Sequence, residues 1–141
     1  MVVSGGKLKC YLLDSYSARK LGRESTASAA RSGGAIGAST SNFFMKAGQT
    51  DPAEIVKATK RGLYVTEMMG FGFNAITGDF SRGAAGFWIE NGKITYPVSE
   101  VTIAGNLNSM FAKIRPANNL VFKYGTNAPT LRIEGMTVAG S

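Results

Sequence analysis

Apolar and polar positions change period several times along the chain, and each change marks an element. Residues 2–3 and 7–13 read as two strands across a Ser4-Gly5-Gly6 turn. Asp14-Ser15 offers a cap for a short helix over 16–21, and Gly22 supplies its stop. Residues 23–41 are small and polar without periodicity, which predicts an irregular loop ordered by further or partner chain. A strand over 41–46 follows, with Phe43 and Met45 on one face and Phe44 on the other. The sharpest start signal is Asp51, Pro52 and Glu54: a cap, a first helical position and a capping-box acid. They predict a helix over 52–61, with Ile55, Val56 and Thr59 on its apolar side and Gly62 ending it.

Alternation returns at 63–69, where Leu63, Val65 and Glu67 oppose Tyr64, Thr66 and Met68. Glu67 is either a buried, paired carboxylate or an edge residue open to water. Residues 85–90 and 93–97 flank Asn91-Gly92, a dipeptide that accepts positive φ at both centres of a two-residue hairpin. Pro97 predicts a break or an edge before a strand resumes over 98–103. Asn106 caps a helix over 107–114, whose Leu107, Met110, Phe111 and Ile114 recur at core spacing. Short strands over 120–123, 130–134 and 136–138, separated by Gly125 and Gly135, bring the expectation to seven to nine strands and three helices. The fold class is therefore α+β and β-rich, with short, mostly antiparallel strands forming a sheet or barrel-like layer. A single domain over 1–141 is expected. The half-hairpin at its start leads us to expect a piece of a longer protein.

Composition narrows the functional classes. Hydrophobic residues at 44% and charged residues at 18% describe a globular chain rather than a disordered one. No apolar run reaches the ~20 residues of a membrane span, and the first residues do not form a signal peptide, so a cytoplasmic protein without a membrane partner is expected. Cys10 is the single cysteine and histidine is absent, which removes an internal disulfide and any ordinary zinc or haem ligand set. The net charge of +7 is uneven, with Lys7, Lys9, Arg19, Lys20, Arg23 and Arg31 early in the chain against Asp14 and Glu24. No recognition helix, stacking platform or finger accompanies it. A solvated or partner-facing surface and a nucleic-acid footprint both remain open.

Candidate chemistry concentrates in residues 67–92, where glycines alternate with Phe71, Phe73, Phe80, Phe87 and Trp88. Ser81 or Thr77 can serve as a nucleophile only with a base, and no histidine exists. Glu67 and Asp79 form a carboxylate pair of unfixed separation. Residues 70–78 match neither the dinucleotide nor the Walker pattern. The turn at 77–82 lets Asp79 and Arg82 satisfy backbone groups or each other. What survives is a surface of Thr66, Gly70, Phe71, Gly72, Thr77, Asp79, Ser81 and Arg82 that holds an extended peptide or a subunit. On that reading valine at Gly72 or Gly83 impairs assembly more than stability.

Five runs carry a resemblance: YLLDSYSARKLG (11–22), GLYVTEMMGFG (62–72), TGDFSRGAAGFWIENG (77–92), YPVSEVTIAGNL (96–107) and PTLRIEGMTVAG (129–140). They resemble the carboxyl-terminal part of PmbA (TldE) type members of the TldD/PmbA family, named for modulators of DNA gyrase and for metallopeptidases. The likeness covers nearly the whole chain and implies the last third of a larger subunit. In TldD-type members zinc is held by a His-Glu-x-x-x-His helix and a cysteine near the carboxyl end, and no residue here matches either. The resemblance thus implies no catalytic or metal-binding residue and no cofactor in this chain, with zinc in a TldD-like partner. It further implies a cytoplasmic complex of paralogous subunits, or a homodimer, that trims unfolded peptides or pro-peptides. The isolated chain is expected to be inactive. The alternative it carries is a non-enzymatic modulator of DNA gyrase or of a nucleic-acid-associated partner.

Overall fold

The computed structural model describes residues 1–140. The chain gathers into two compact units, Met1–Phe44 with Phe122–Asn127, and Met45–Val121 with the residues from Ala128 onward.

In the first unit β1 (Val3–Ser4) pairs antiparallel with β2 (Lys7–Leu8). Gly5 and Gly6 between them hold φ of 56° and 72°, the left-handed region that glycine tolerates. The strand expected over 7–13 ends at Leu8, because residues 11–13 spend their backbone groups elsewhere. Leu13 donates its N–H to the Thr26 hydroxyl at 2.8 Å and accepts the Thr26 N–H at 3.1 Å. Helix α1 (Ser15–Lys20) starts where the Asp14 carboxylate accepts the Ser17 N–H at 2.6 Å. That backbone bond, with a further one from the Ser17 hydroxyl, holds the Asp14 carboxyl below the usual carboxylate range.

The region 23–41, expected to be irregular, contains a hairpin instead. Strands β3 (Ala29–Ser32) and β4 (Ala35–Ala38) pair antiparallel across Gly33 and Gly34, both at positive φ, and all eight strand residues are exposed. Further on, β5 (Phe43–Phe44) runs parallel to β10 (Thr126–Asn127), and Phe44 meets Phe122 edge-on at 5.1 Å between centroids. No strand forms over 120–123. Buried Asn127 explains the local course, since its side chain accepts the N–H groups of Lys123 and Tyr124 and donates to the Tyr124 carbonyl.

The second unit centres on an open antiparallel sheet. Its strands are β6 (Arg61–Met69), β7 (Asp79–Glu90), β8 (Lys93–Asn106) and β12 (Thr137–Ala139), in the order β12-β8-β7-β6. A small antiparallel pair, β9 (Arg115–Pro116) with β11 (Leu131–Arg132), completes the twelve strands among the described residues. The β-rich α+β class holds, and of the two sheet forms expected the barrel-like one is excluded because no sheet closes. Helix α2 (Pro52–Lys57) is capped by Asp51, which accepts the Ala53 N–H at 2.8 Å. It stops short of the expected 61. The Asn91-Gly92 turn takes over the next carbonyls, Asn91 N–H donating to Lys60 at 2.7 Å and Gly92 N–H to Thr59 at 2.9 Å. Gly62 accordingly lies inside β6, opposite Ile89.

Pro97 does not interrupt β8. It pairs with Phe87 between two register shifts, and β12 covers only Thr102 to Ala104, so Pro97 has one strand neighbour and needs no N–H on its open side. The core is small: Ala84, Val101 and Ile103, with Leu63, Phe80, Val98 and Met136 packed around them. Helix α3 (Leu107–Lys113) adds Met110, but Phe111, expected to share that stripe, is 66% exposed. Among the described residues no helix is long and apolar enough to cross a membrane.

Candidate functional site

Strand β6 is an outer strand of the sheet and is paired on one side only, to β7. A bulge interrupts it at Thr66: Val65 faces Gly86, Glu67 faces Ala85, and the extra Thr66 turns its hydroxyl to the Ala85 carbonyl at 3.3 Å. This shift breaks the alternation expected from 63 to 69, and Glu67 ends as an exposed edge residue. From Glu67, opposite Ala85, to Asp79 is six residues along β7, roughly 20 Å at strand rise. A glycosidase pair needs about 5–9.5 Å. The two carboxylates therefore do not form one.

Beyond Met69, which faces Gly83, the chain kinks at Gly70 with φ +73° and resumes pairing with Phe73 opposite Phe80, one residue out of step. Residues 70–78 thus form a flap folded along the start of β7. Ser81 donates its N–H to the Gly72 carbonyl at 2.7 Å, and Asn74 donates to the Asp79 carbonyl at 2.8 Å. The flap closes in one turn, in which the Gly78 N–H reaches the Asn74 carbonyl and the Asn74 side-chain oxygen accepts the Ile76 and Thr77 N–H groups.

The turn is pinned from below by Asn106. Its amide nitrogen donates to the Thr77 carbonyl at 3.0 Å and to Asp79 Oδ1 at 3.4 Å, while its oxygen caps α3 by accepting the Asn108 N–H at 3.1 Å. Asp79 Oδ2 accepts the Thr77 hydroxyl at 2.7 Å. The Thr77 and Asp79 side chains are thereby engaged in shaping a turn. Asp79 and Arg82 do not pair; three residues apart on a regular stretch of strand, they point to opposite faces. Arg82 instead donates Nη2 to the Met68 carbonyl at 3.4 Å.

Of the eight residues singled out in the sequence, Gly70, Phe71, Gly72 and Thr77 lie in the flap and Asp79, Ser81 and Arg82 on the strand beneath it. Thr66 sits apart at the bulge. Asn74 was missed, although it is a side-chain cap whose type signals that role, and Asn106 was read as the cap of α3 but not as the donor that holds the flap turn. The flap lifts large apolar groups into solvent: Phe71 is 105% exposed, Ile76 96% and Phe73 64%, beside half-exposed Met68 and Met69.

Zinc does not fit the donors present. The chain has no histidine, the Cys10 thiol donates to the Tyr11 carbonyl, and Asp14, Asp51 and Asp79 are occupied by caps and the flap turn. Among the described residues no three histidine, cysteine or acidic side chains gather as a metal would require.

Comparison with known proteins gives a consistent likeness. Metalloprotease PmbA of Escherichia coli O157:H7 is 44% identical over 140 residues, covering 99% of this chain and 29% of that protein. A metalloprotease TldD homologue of Buchnera aphidicola subsp. Acyrthosiphon pisum (strain APS) is 24% identical over 159 residues, covering 100% of this chain and 33% of its own length. A crystal structure from Bacteroides thetaiotaomicron, named as a candidate modulator of DNA gyrase, superposes with a TM-score of 0.82 at 32% identity, over 99% of this chain and 30% of that one. The crystal structure of TldE from Thermococcus kodakarensis shares the fold with a TM-score of 0.85 at 24% identity, over 99% and 33%. The chain thus spans 29% of the length of the PmbA protein it matches. The family described as PmbA/TldA metallopeptidase C-terminal domain matches residues 1–140, and the chain belongs to it.

Proposed function

We propose that this chain is the non-catalytic carboxyl-terminal domain of a PmbA-type subunit, and that it supplies interface and extended-peptide surface to a TldD/PmbA-type zinc metallopeptidase complex in the cytoplasm. The observation that carries the reading is the one-sided strand β6 running into a flap with exposed Phe71, Phe73 and Ile76. A sheet edge offers a row of main-chain groups to a further strand, and neighbouring aromatics supply side-chain contacts. Higher identity to PmbA than to TldD favours the PmbA type. Zinc and the catalytic groups come from a TldD-like partner, and the complex processes unfolded peptides or pro-peptides.

Magnitudes support a covered surface. The chain exposes 10303 Å². Two separate compact bodies dividing 14.9 kDa in proportion to the units' 50 and 91 residues would expose roughly 8,400 Å² together. The excess, roughly 1,900 Å², is more than twice the roughly 800 Å² that each partner contributes to a standard protein interface.

The test is co-purification of the full-length parent with a TldD-type subunit, followed by zinc analysis and a peptide-cleavage assay. Association is expected to fall in Phe71→Ser and Ile76→Ser variants of the parent, with cleavage appearing only in the complex. A parent that cleaves peptide with its own zinc, or that never associates with such a subunit, overturns the reading. A second reading, a modulator that contacts DNA gyrase or nucleic acid, draws on the basic excess of the first unit, where seven basic residues face Asp14 and Glu24. Salt-sensitive binding of this chain alone to DNA or gyrase would favour it.

A further inference from the structure

We propose that Arg82 is the anchor for a carboxylate carried by the polypeptide that β6 and the flap receive; this rests on the peptide-holding reading above. A guanidinium carries five donors and stays charged. Here one of them is used, in a 3.4 Å bond to the Met68 carbonyl at the long end of the hydrogen-bond range. Nε is buried without a partner. Among the described residues the one ion pair is Arg132 with Glu134, so no acid among them pairs with Arg82.

Strand geometry explains why its neighbours cannot. Asp79 and Ser81 lie an odd number of residues away along a regular stretch of β7, on the opposite face, and Asp79 is taken by Thr77 and Asn106. Directly across β8, Arg82 faces Ile103. On the flap side Gly72 leaves room for it, because a β-carbon there would stand 3.1 Å from Arg82 Cγ. A half-buried charge with unspent donors among apolar side chains is costly, and an incoming carboxylate accepting two parallel N–H bonds would offset that cost.

The surroundings select a carboxylate on an extended polypeptide rather than a phosphate chain. Of the cations on strands β6, β7 and β8, Arg82 alone lies toward the flap end, whereas Arg61 and Lys93, with Lys60, sit at the opposite end beside the Asn91-Gly92 turn, and the Arg61 guanidinium lies over Trp88 at 5.4 Å. Nucleic-acid backbones are held by several cations in a row. Apolar Met68, Met69 and Phe73 instead suit the residues flanking an acid.

The experiment measures binding of fluorescein-labelled apolar hexapeptides to the full-length parent by anisotropy. Three probes are used: one with a central glutamate and an amidated end, one with no acid and a free carboxyl end, and one with neither. The carboxylate-bearing probe that matches the site should bind about ten- to a hundredfold more tightly than the neutral one. Which of the two does so identifies the source. Arg82→Gln should erase that preference, so that the carboxylate-bearing probe binds no more tightly than the neutral one, and Arg82→Lys should keep part of it. The Arg82 Nε resonance should shift on adding the preferred probe, a readout that survives if the variants fold poorly. Equal binding of all three probes, a preference that persists in Arg82→Gln, or an unmoved Nε resonance overturns the anchor alone. Failure of every probe to bind overturns the peptide-holding reading and the anchor with it.

Discussion

A β-carbon on Gly72 would lie 1.6 Å from the Ser81 carbonyl oxygen, whereas one on Gly83 would meet Met69 at an ordinary 3.6 Å. The two glycines therefore have different jobs. Gly72 permits main-chain contact between flap and strand, and any side chain there must push the flap off β7. Gly83 has space for a methyl group. Gly72→Ala should cost about 1–3 kcal/mol in urea unfolding, the usual range for an overpacked site, while Gly83→Ala should stay within about 0.5 kcal/mol. Equal losses at the two positions would contradict the geometry. It follows that valine at Gly72 is no clean probe of assembly, although composition alone made the two positions equivalent.

Element by element, what could be read in advance is what residues do to their immediate neighbours. Asp14, Asp51 and Asn106 cap α1, α2 and α3 as expected, and Asn91 and Gly92 take φ of 48° and 77° in the predicted hairpin turn. The misses were settled by pairing at a distance. Helix α2 lost its last turn to the β7–β8 hairpin, and Pro97 was accommodated by bulges whose position depends on β7. The β3–β4 hairpin carries no apolar alternation, so the Gly33-Gly34 pair was its one local sign. Phe111 follows helical spacing yet lies open to solvent. The flap's backbone turn was legible as glycine content, but its anchor was not, because Asn106 is 29 residues from Thr77 and already serves as a cap. That double duty can be separated by mutation. Asn106→Ala should lose about 1–2 kcal/mol, one cap plus one net hydrogen bond. Asn106→Asp keeps the acceptor for Asn108 but loses the donor to Thr77, so it should spare α3 and still speed amide exchange at Gly78. Wild-type exchange at Gly78 in Asn106→Asp would show that the side chain serves the helix alone.

For the molecule as a whole, the balance of buried and open surface sets the expected dynamics. Ala84, Val101 and Ile103 form the buried cluster of the second unit, and strands β7 and β8 around them should exchange their amides only on extensive unfolding. The β3–β4 hairpin has no such support: its eight residues are exposed, and a lone two-stranded hairpin is marginal in water. The flap is intermediate, held by main-chain bonds and Asn106 but carrying Phe71 and Ile76 bare. Hydrogen exchange on the chain alone should therefore rank residues 29–38 fastest, 70–78 next, and 83–84 with 101–104 slowest. If a paired subunit or peptide covers the edge, the full-length complex should slow 65–78 by tenfold or more and leave 101–104 unchanged, since the latter are already protected within the sheet. A complex in which residues 65–78 exchange as fast as in the parent alone would place the covered surface elsewhere, and the exposed aromatics of the flap would then have no part in assembly.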